Sequence, residues 1–263
     1  MKKLMLAAAV SLMAAGQSYA GSSEQHIVFV HGAHFTAASW QPVQEQLNGK
    51  HSTLAVDLPG RNDSIAAKKV DLALSAGYLC KSIGALSGSK ILVGHSQGGA
   101  VVNAALNICP DEEISSVVYV TAVAPLDKAK VFGLLSKQDD ENYFKGINYN
   151  ESAKMLEIKS ADEFAAVFAQ DANQAQRDVM AKDAVDEPAT IGSEKMSLNQ
   201  ERFAGIDKYY VFANQDKLIS LSSQQKIAES IGVKDSFGVD SGHLPMLTQP
   251  ARLAAILDEI AKR

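Results

Sequence analysis

The chain has 263 residues, 46% of them hydrophobic and 21% charged, with 25 basic and 30 acidic side chains and a formal net charge of −5. That length and apolar content suit one α/β domain with a large core and an insertion. The acidic balance, with charges scattered and no basic stripe, excludes the electrostatic footprint of a nucleic-acid binder.

The first twenty residues read as a secretory signal peptide. Lys2 and Lys3 precede an apolar run over residues 4–15, and Ser18-Tyr19-Ala20 places small residues ahead of Gly21, the expected mature start. The run is too short for a stable membrane span. Cleavage would leave 243 residues carrying 23 basic and 30 acidic side chains, a charge of −7. The expectation is an exported protein, periplasmic or secreted, monomeric or homodimeric, with no stable membrane insertion.

Residues 26–30 form a β-branched run closed by His31-Gly32, and Trp40, Val43 and Leu47 then recur at helical spacing. A second strand is expected at 53–56, followed by Asp57-Leu58-Pro59-Gly60, and a helix over 70–86. Residues 90–93 form a third strand and 100–108 a helix. Strands follow at 117–120, 208–212 and 235–239, and a helix at 251–261 closes the chain. Strands alternating with helices predict a doubly wound, mostly parallel sheet of six strands. Ligands bind such sheets at the carboxyl ends of the strands. His31, Ser96, Asp216 and His243 all fall just past expected strand ends.

Residues 126–200 interrupt the alternation and read as a helical cap without a convincing strand. The core is thereby divided into residues 21–125 and 201–263. Ser160-Ala161-Asp162-Glu163 has a capping-box pattern, with Phe164, Val167 and Phe168 on one face of the helix that follows. A second helical piece is expected over 174–184. Residues 127–195 carry 14 acidic and 9 basic side chains, most of the acidic excess, as a solvated outer face would. Phe132, Leu134, Leu135, Phe144, Leu156, Phe164 and Phe168 must pack on the core or line a pocket. Cys80 and Cys109 lie in helical patterns before and after the third strand; two buried free thiols are slightly favoured over a disulfide.

Gly94-His95-Ser96-Gln97-Gly98 joins the third strand to its helix as a G-x-S-x-G nucleophile elbow. The turn strains the backbone, so its neighbours must be small, and Gly94 and Gly98 let strand and helix approach. An unassisted serine is a weak nucleophile and needs a base held by a third group. His243, between the last strand and the last helix, is the best placed base. Asp216, after the fifth strand, is the best orienting acid, with Asp127 the runner-up. Asp57 reads as a loop tie, and Asp240 is too close in sequence to His243. His95 is on the wrong side of the elbow to act as base, and His26 and His51 read as structural or exposed. An oxyanion hole would use the backbone N–H groups of Gln97 and of Ala33, in the loop after the first strand.

FVHGAHFTAASW (29–40), VDLPG (56–60), VGHSQGGA (93–100), ANQDKLIS (213–220) and SGHLPMLTQP (241–250) together resemble the α/β-hydrolase fold, in the branch of plant methylesterases, hydroxynitrile lyases and related bacterial esterases. The resemblance covers nearly the whole mature chain, weakly in the cap. It implies a sheet lacking the first two strands of the larger fold, a triad of Ser96, Asp216 and His243, oxyanion amides on Ala33 and Gln97, and no metal or organic cofactor. It implies hydrolysis of small-to-medium, apolar carboxylic esters through an acyl-enzyme on Ser96. Hydroxynitrile lyases of this branch carry a threonine where this chain has Gly32 and a lysine where it has Leu244, which favours ester hydrolysis here. Arg61-Asn62-Asp63 departs from the G-x-S run common after DLPG. A lyase-like or haloperoxidase-like use of the triad, an amidase or lactonase, and a non-turnover sensor on the same scaffold stay open as alternatives.

Overall fold

The computed structural model describes residues 25–61, 64–109 and 112–263; the signal segment expected over 1–20 lies outside them. The chain opens with β1 (Gln25–Val30) and α1 (Gln41–Leu47), whose first turn holds Pro42 where no N–H is needed. It continues through β2 (Ser52–Val56) and α2 (Leu72–Ile83), capped by Asp71 accepting from the Leu74 N–H at 2.7 Å. Next come β3 (Ser89–His95), α3 (Gly98–Ile108) and β4 (Ile114–Val120).

The insertion follows: α4 (Lys137–Gly146), β5 (Ile147–Asn150), β6 (Met155–Ile158), α5 (Ala161–Phe168), α6 (Gln174–Asp183), β7 (Glu187–Pro188) and α7 (Gln200–Gly205). The core resumes with β8 (Asp207–Ala213), α8 (Leu221–Ile231), β9 (Asp235–Val239), α9 (Pro245–Thr248) and α10 (Pro250–Ala261).

Six strands form one sheet in the order β2–β1–β3–β4–β8–β9, and every pair is parallel. The expected six-stranded, doubly wound architecture is therefore present. Successive residues of a strand face opposite sides, and both sides are buried. Val28, Val30, Leu92, Val117 and Tyr119 pack with α2, α3 and α8 on one face. Ile27, Phe29, Val93, Val118 and Val120 pack with α1 and α10 on the other, where Trp40 stacks on Phe29 with ring centroids 4.6 Å apart. Burial on both sides is why these strands are apolar throughout rather than alternating.

Two expectations are corrected. First, the insertion is not free of strands: β5, β6 and β7 form an antiparallel sheet. Its strands are four, four and two residues long, β5 is polar, and Lys154 turns the hairpin at φ +55° without a glycine. None of these carries the alternation or turn chemistry by which a hairpin is read. Second, Cys80 and Cys109 form a disulfide rather than standing as free thiols. α2 and α3 lie side by side on one sheet face and bring the two Cα atoms to 5.5 Å, inside the range a disulfide bridges.

Capping also departs in detail from the sequence reading. Reciprocal capping boxes start α4 (Ser136 with Asp139) and α6 (Asn173 with Gln176). At α5 the Ser160 side chain accepts from the Glu163 N–H and donates to the Glu163 carboxylate. Among the described residues no helix is long and apolar enough to cross a membrane.

Candidate active site

Parallel strands β1, β3, β4, β8 and β9 deliver their following loops to one edge of the sheet. Ser96 sits between β3 and α3 with φ +51°, a left-handed conformation that a serine adopts only when its surroundings impose it. The crossing is too tight for side chains on the flanking glycines. A Cβ on Gly94 would lie 2.9 Å from the Gly99 Cα, and one on Gly98 2.6 Å from the carbonyl oxygens of Val30 and His31. The Ser96 carbonyl accepts from the N–H groups of Gly99 (3.2 Å) and Val123 (3.1 Å), which lock the turn. Ser96 alone in the stretch from 89 to 106 is more than marginally accessible.

The structure brings the three sequence-selected residues together. His243 Nε2 lies 3.1 Å from Ser96 Oγ, and His243 Nδ1 lies 2.7 Å from Asp216 Oδ2. His243 is 2% exposed and Asp216 7%, so this imidazole–carboxylate contact is shielded from water. Asp216 is fully engaged. Oδ1 accepts from the N–H groups of Leu218 (2.7 Å) and Ile219 (3.1 Å), and Oδ2 also accepts from Thr121 Oγ at 2.5 Å. Four donors therefore converge on its two carboxylate oxygens. A carboxylate facing Nδ1 makes that nitrogen the N–H donor, leaving the Nε2 lone pair toward Ser96.

Asp127 is elsewhere: its carboxylate accepts from the Leu198 N–H and from Gln200. Asp57 ties a loop by accepting from the Ala37 N–H, and Asp240 accepts from Asn214. His26 bridges Ser52 and the Ser87 carbonyl, and His51 pairs with Asp258. His95 has a structural task that the sequence did not disclose. Its Nε2–H donates to the His243 carbonyl at 2.8 Å, anchoring the backbone of the histidine that faces Ser96. Burial, then the neighbouring His243, holds His95 well below the usual imidazole pKa.

The loop after β1 lies against the elbow. A Cβ on Gly32 would meet the Ser96 Cβ at 2.8 Å, so only glycine fits. His31 fixes this loop by donating from Nδ1 to the Gly32 carbonyl and accepting the Leu58 N–H on Nε2. Burial, aided by the Arg61 charge, lowers its pKa to about 3, which keeps it neutral in that double role.

Ser96, His243, Ala33 and Gln97 line a cavity of about 620 Å³. Its other walls come largely from the insertion and are mostly apolar, Phe132, Leu135, Phe144, Leu156 and Phe168 among them. Of the cap residues singled out in sequence, Phe164 is instead buried beside Phe168, with stacked rings 4.1 Å apart, and Leu134 is exposed. Among the described residues no cluster of three or more histidine, cysteine or acidic side chains could hold a metal ion.

Three residues at the site were not visible in sequence. Thr121, just past β4, shares Asp216 Oδ2 with His243. Tyr143 lines the cavity and donates its hydroxyl to His34 Nε2 at 2.7 Å. Glu187 contacts both the elbow and the loop after β1. Thr121 could have been sought as a hydroxyl residue at a strand end; Glu187 carried no local signal.

A serine at an elbow, hydrogen-bonded through a buried imidazole to a carboxylate on a parallel sheet, defines a hydrolase-type arrangement. The chain belongs to the alpha/beta hydrolase family, which matches residues 27–256. It is similar to Methylesterase 7 of Arabidopsis thaliana, at 26% identity over 92% of this chain and 98% of that protein. Its fold resembles that of a pyrethroid hydrolase (TM-score 0.79, 20% identity, 91% and 98% of the two chains). It also resembles an extracellular α/β-hydrolase from a Paenibacillus species (TM-score 0.77, 23% identity, 89% and 98%).

Proposed function

We propose that the protein is an exported serine carboxylesterase acting on small-to-medium, apolar esters through an acyl-enzyme. The observation that carries this reading is the continuous relay from Ser96 Oγ through His243 to Asp216, opening on an apolar cavity. Ser96 Oγ attacks the ester carbonyl as His243 Nε2 takes its proton. Asp216 holds His243 in the tautomer that accepts on Nε2 and stabilises the imidazolium as it forms. The N–H groups of Gln97 and Ala33 receive the charge developing on the carbonyl oxygen. His243 then passes its proton to the departing alcohol, and water, deprotonated by the same nitrogen, cleaves the acyl-enzyme.

Leu244, buried directly after His243, places no cation where a lyase would need one to receive a departing anion. Similarity to a methylesterase supports an ester substrate. Export is supported by the Lys2-Lys3 and apolar start together with the disulfide, which persists in oxidising compartments. A fluorophosphonate probe should label the wild type and leave Ser96→Ala unlabelled; equal labelling of both would end the assignment.

A further inference from the structure

Glu187 stands outside the relay, yet it is fully enclosed, at 0% exposure. Its Oε1 accepts from Arg61 Nη2 at 2.6 Å and from Gln97 Nε2 at 2.7 Å. Its Oε2 accepts from the His34 N–H at 3.2 Å. These partners sit on three loops, after β2, after β3 and after β1. Two of those loops carry the amides assigned to the oxyanion: Gln97 supplies its own, and the His34 N–H is the amide next to that of Ala33.

His34 needs to be held. Its φ of +66° is left-handed, a conformation unfavourable for a non-glycine residue. The cap supplies the restraint. The Val185 N–H donates to the His34 carbonyl at 3.0 Å, and His34 Nδ1–H donates to the Val185 carbonyl at 3.0 Å. The Tyr143 hydroxyl on His34 Nε2 and Glu187 itself complete the restraint. A lone buried carboxylate here would repel the negative charge that forms at the ester oxygen. Arg61 offsets it, its side chain 2% exposed and also donating to the Pro59 carbonyl.

We propose that Glu187 is a positioning residue: paired with Arg61, it fixes the separation of the two loops whose amides receive the oxyanion, so that the cap completes the oxyanion hole. This rests on the acyl-enzyme reading above. The cap is then part of the catalytic geometry as well as a wall of the cavity.

Glu187→Gln preserves size but replaces one acceptor oxygen with an N–H₂ group that faces a donor. Hydrolysis of p-nitrophenyl butyrate should show kcat reduced about 10- to 100-fold with KM changed less than threefold. Inhibition by phenylboronic acid, which forms a tetrahedral adduct on the serine, should weaken by the same factor as kcat. A purely structural residue would shift the melting temperature and leave both quantities in place. A folded Glu187→Gln with kcat within twofold of wild type overturns the proposal and leaves the acyl-enzyme reading standing. Ser96→Ala retaining turnover would overturn both. Should Glu187→Gln not fold, Gln97→Met, which cuts only the side-chain tether, should lower kcat about tenfold; an unchanged kcat there refutes the proposal.

Discussion

Replacing Asp216 by asparagine tests the relay through the orientation the structure would force on the new side chain. The Leu218 and Ile219 N–H groups both point at Oδ1, at 2.7 and 3.1 Å. They require an acceptor, so the asparagine oxygen must occupy that position. Its N–H₂ group then takes the place of Oδ2, facing His243 Nδ1 at the 2.7 Å now spanned by a hydrogen bond. Two N–H groups cannot share that gap. The imidazole answers by moving its proton to Nε2, which leaves no lone pair toward Ser96. Loss of the correct tautomer in a serine triad costs about 10⁴ in kcat, equivalent to about 5.5 kcal/mol of barrier. The variant should remain folded, because both backbone donors keep their acceptor. Purified Asp216→Asn would be compared with wild type on p-nitrophenyl butyrate, with thermal melts run in parallel. A folded variant turning over within tenfold of wild type would refute the tautomer reasoning and the orienting role of Asp216.

Two further predictions concern stability. The Cys80–Cys109 bridge closes a loop with a sequence separation of 29, and the chain-entropy relation assigns it about 3.6 kcal/mol. The double variant Cys80→Ala, Cys109→Ala should lose stability of that order in urea unfolding, and an unchanged midpoint would deny the bridge that role. Burial lowers the folded pKa values of His31 and His34 from 6.5 to about 3. Below pH 6.5 the unfolded chain binds protons that these folded histidines refuse, so their stabilisation is present at higher pH and lost as pH falls toward 3. Two such sites remove roughly 4 kcal/mol between pH 7 and pH 5. Urea midpoints at those two pH values should differ accordingly; equal midpoints would mean the two rings ionise freely in the folded state.

The parts of the molecule legible in sequence are those whose causes are local. β1, β3, β4 and β8 are apolar because both faces of the sheet are covered, and such runs announce themselves. Ser96 could be found because its strained turn demands glycines at fixed offsets. His243 and Asp216 could be selected because the strand ends of a parallel sheet share one edge. The rest depends on partners far along the chain. Glu187 meets residues 153, 126 and 90 positions away, and nothing in Asp186-Glu187-Pro188 predicts such a meeting. β7 is two residues long and ends on a proline, so no periodicity can reveal it. The disulfide was equally hidden, because the side-by-side packing of α2 and α3 decides it. Arg61 did stand out as a departure after DLPG, and its buried pairing with Glu187 gives that departure a structural reason.

The insertion is fastened to the core on several sides. Asp139 is 1% exposed; it accepts from the Ser220 N–H and from Ser223 Oγ, both at the start of α8. Burial alone would raise its pKa, but the hydrogen bonds from Ser223, Ser136 and Ser220 together hold it below the usual carboxylate range. Asp171 accepts from the Gly242 N–H beside His243, and Gln170 donates to the Gln215 carbonyl beside Asp216. A cavity walled by so anchored a segment is shaped when the chain folds. Its ordering entropy, about 1–2 kcal/mol per residue fixed, is met then and is not subtracted from the affinity of each incoming molecule. Selectivity in such a chamber is steric: an oversized acyl group meets a standing wall, whereas a mobile flap would merely close on it more slowly.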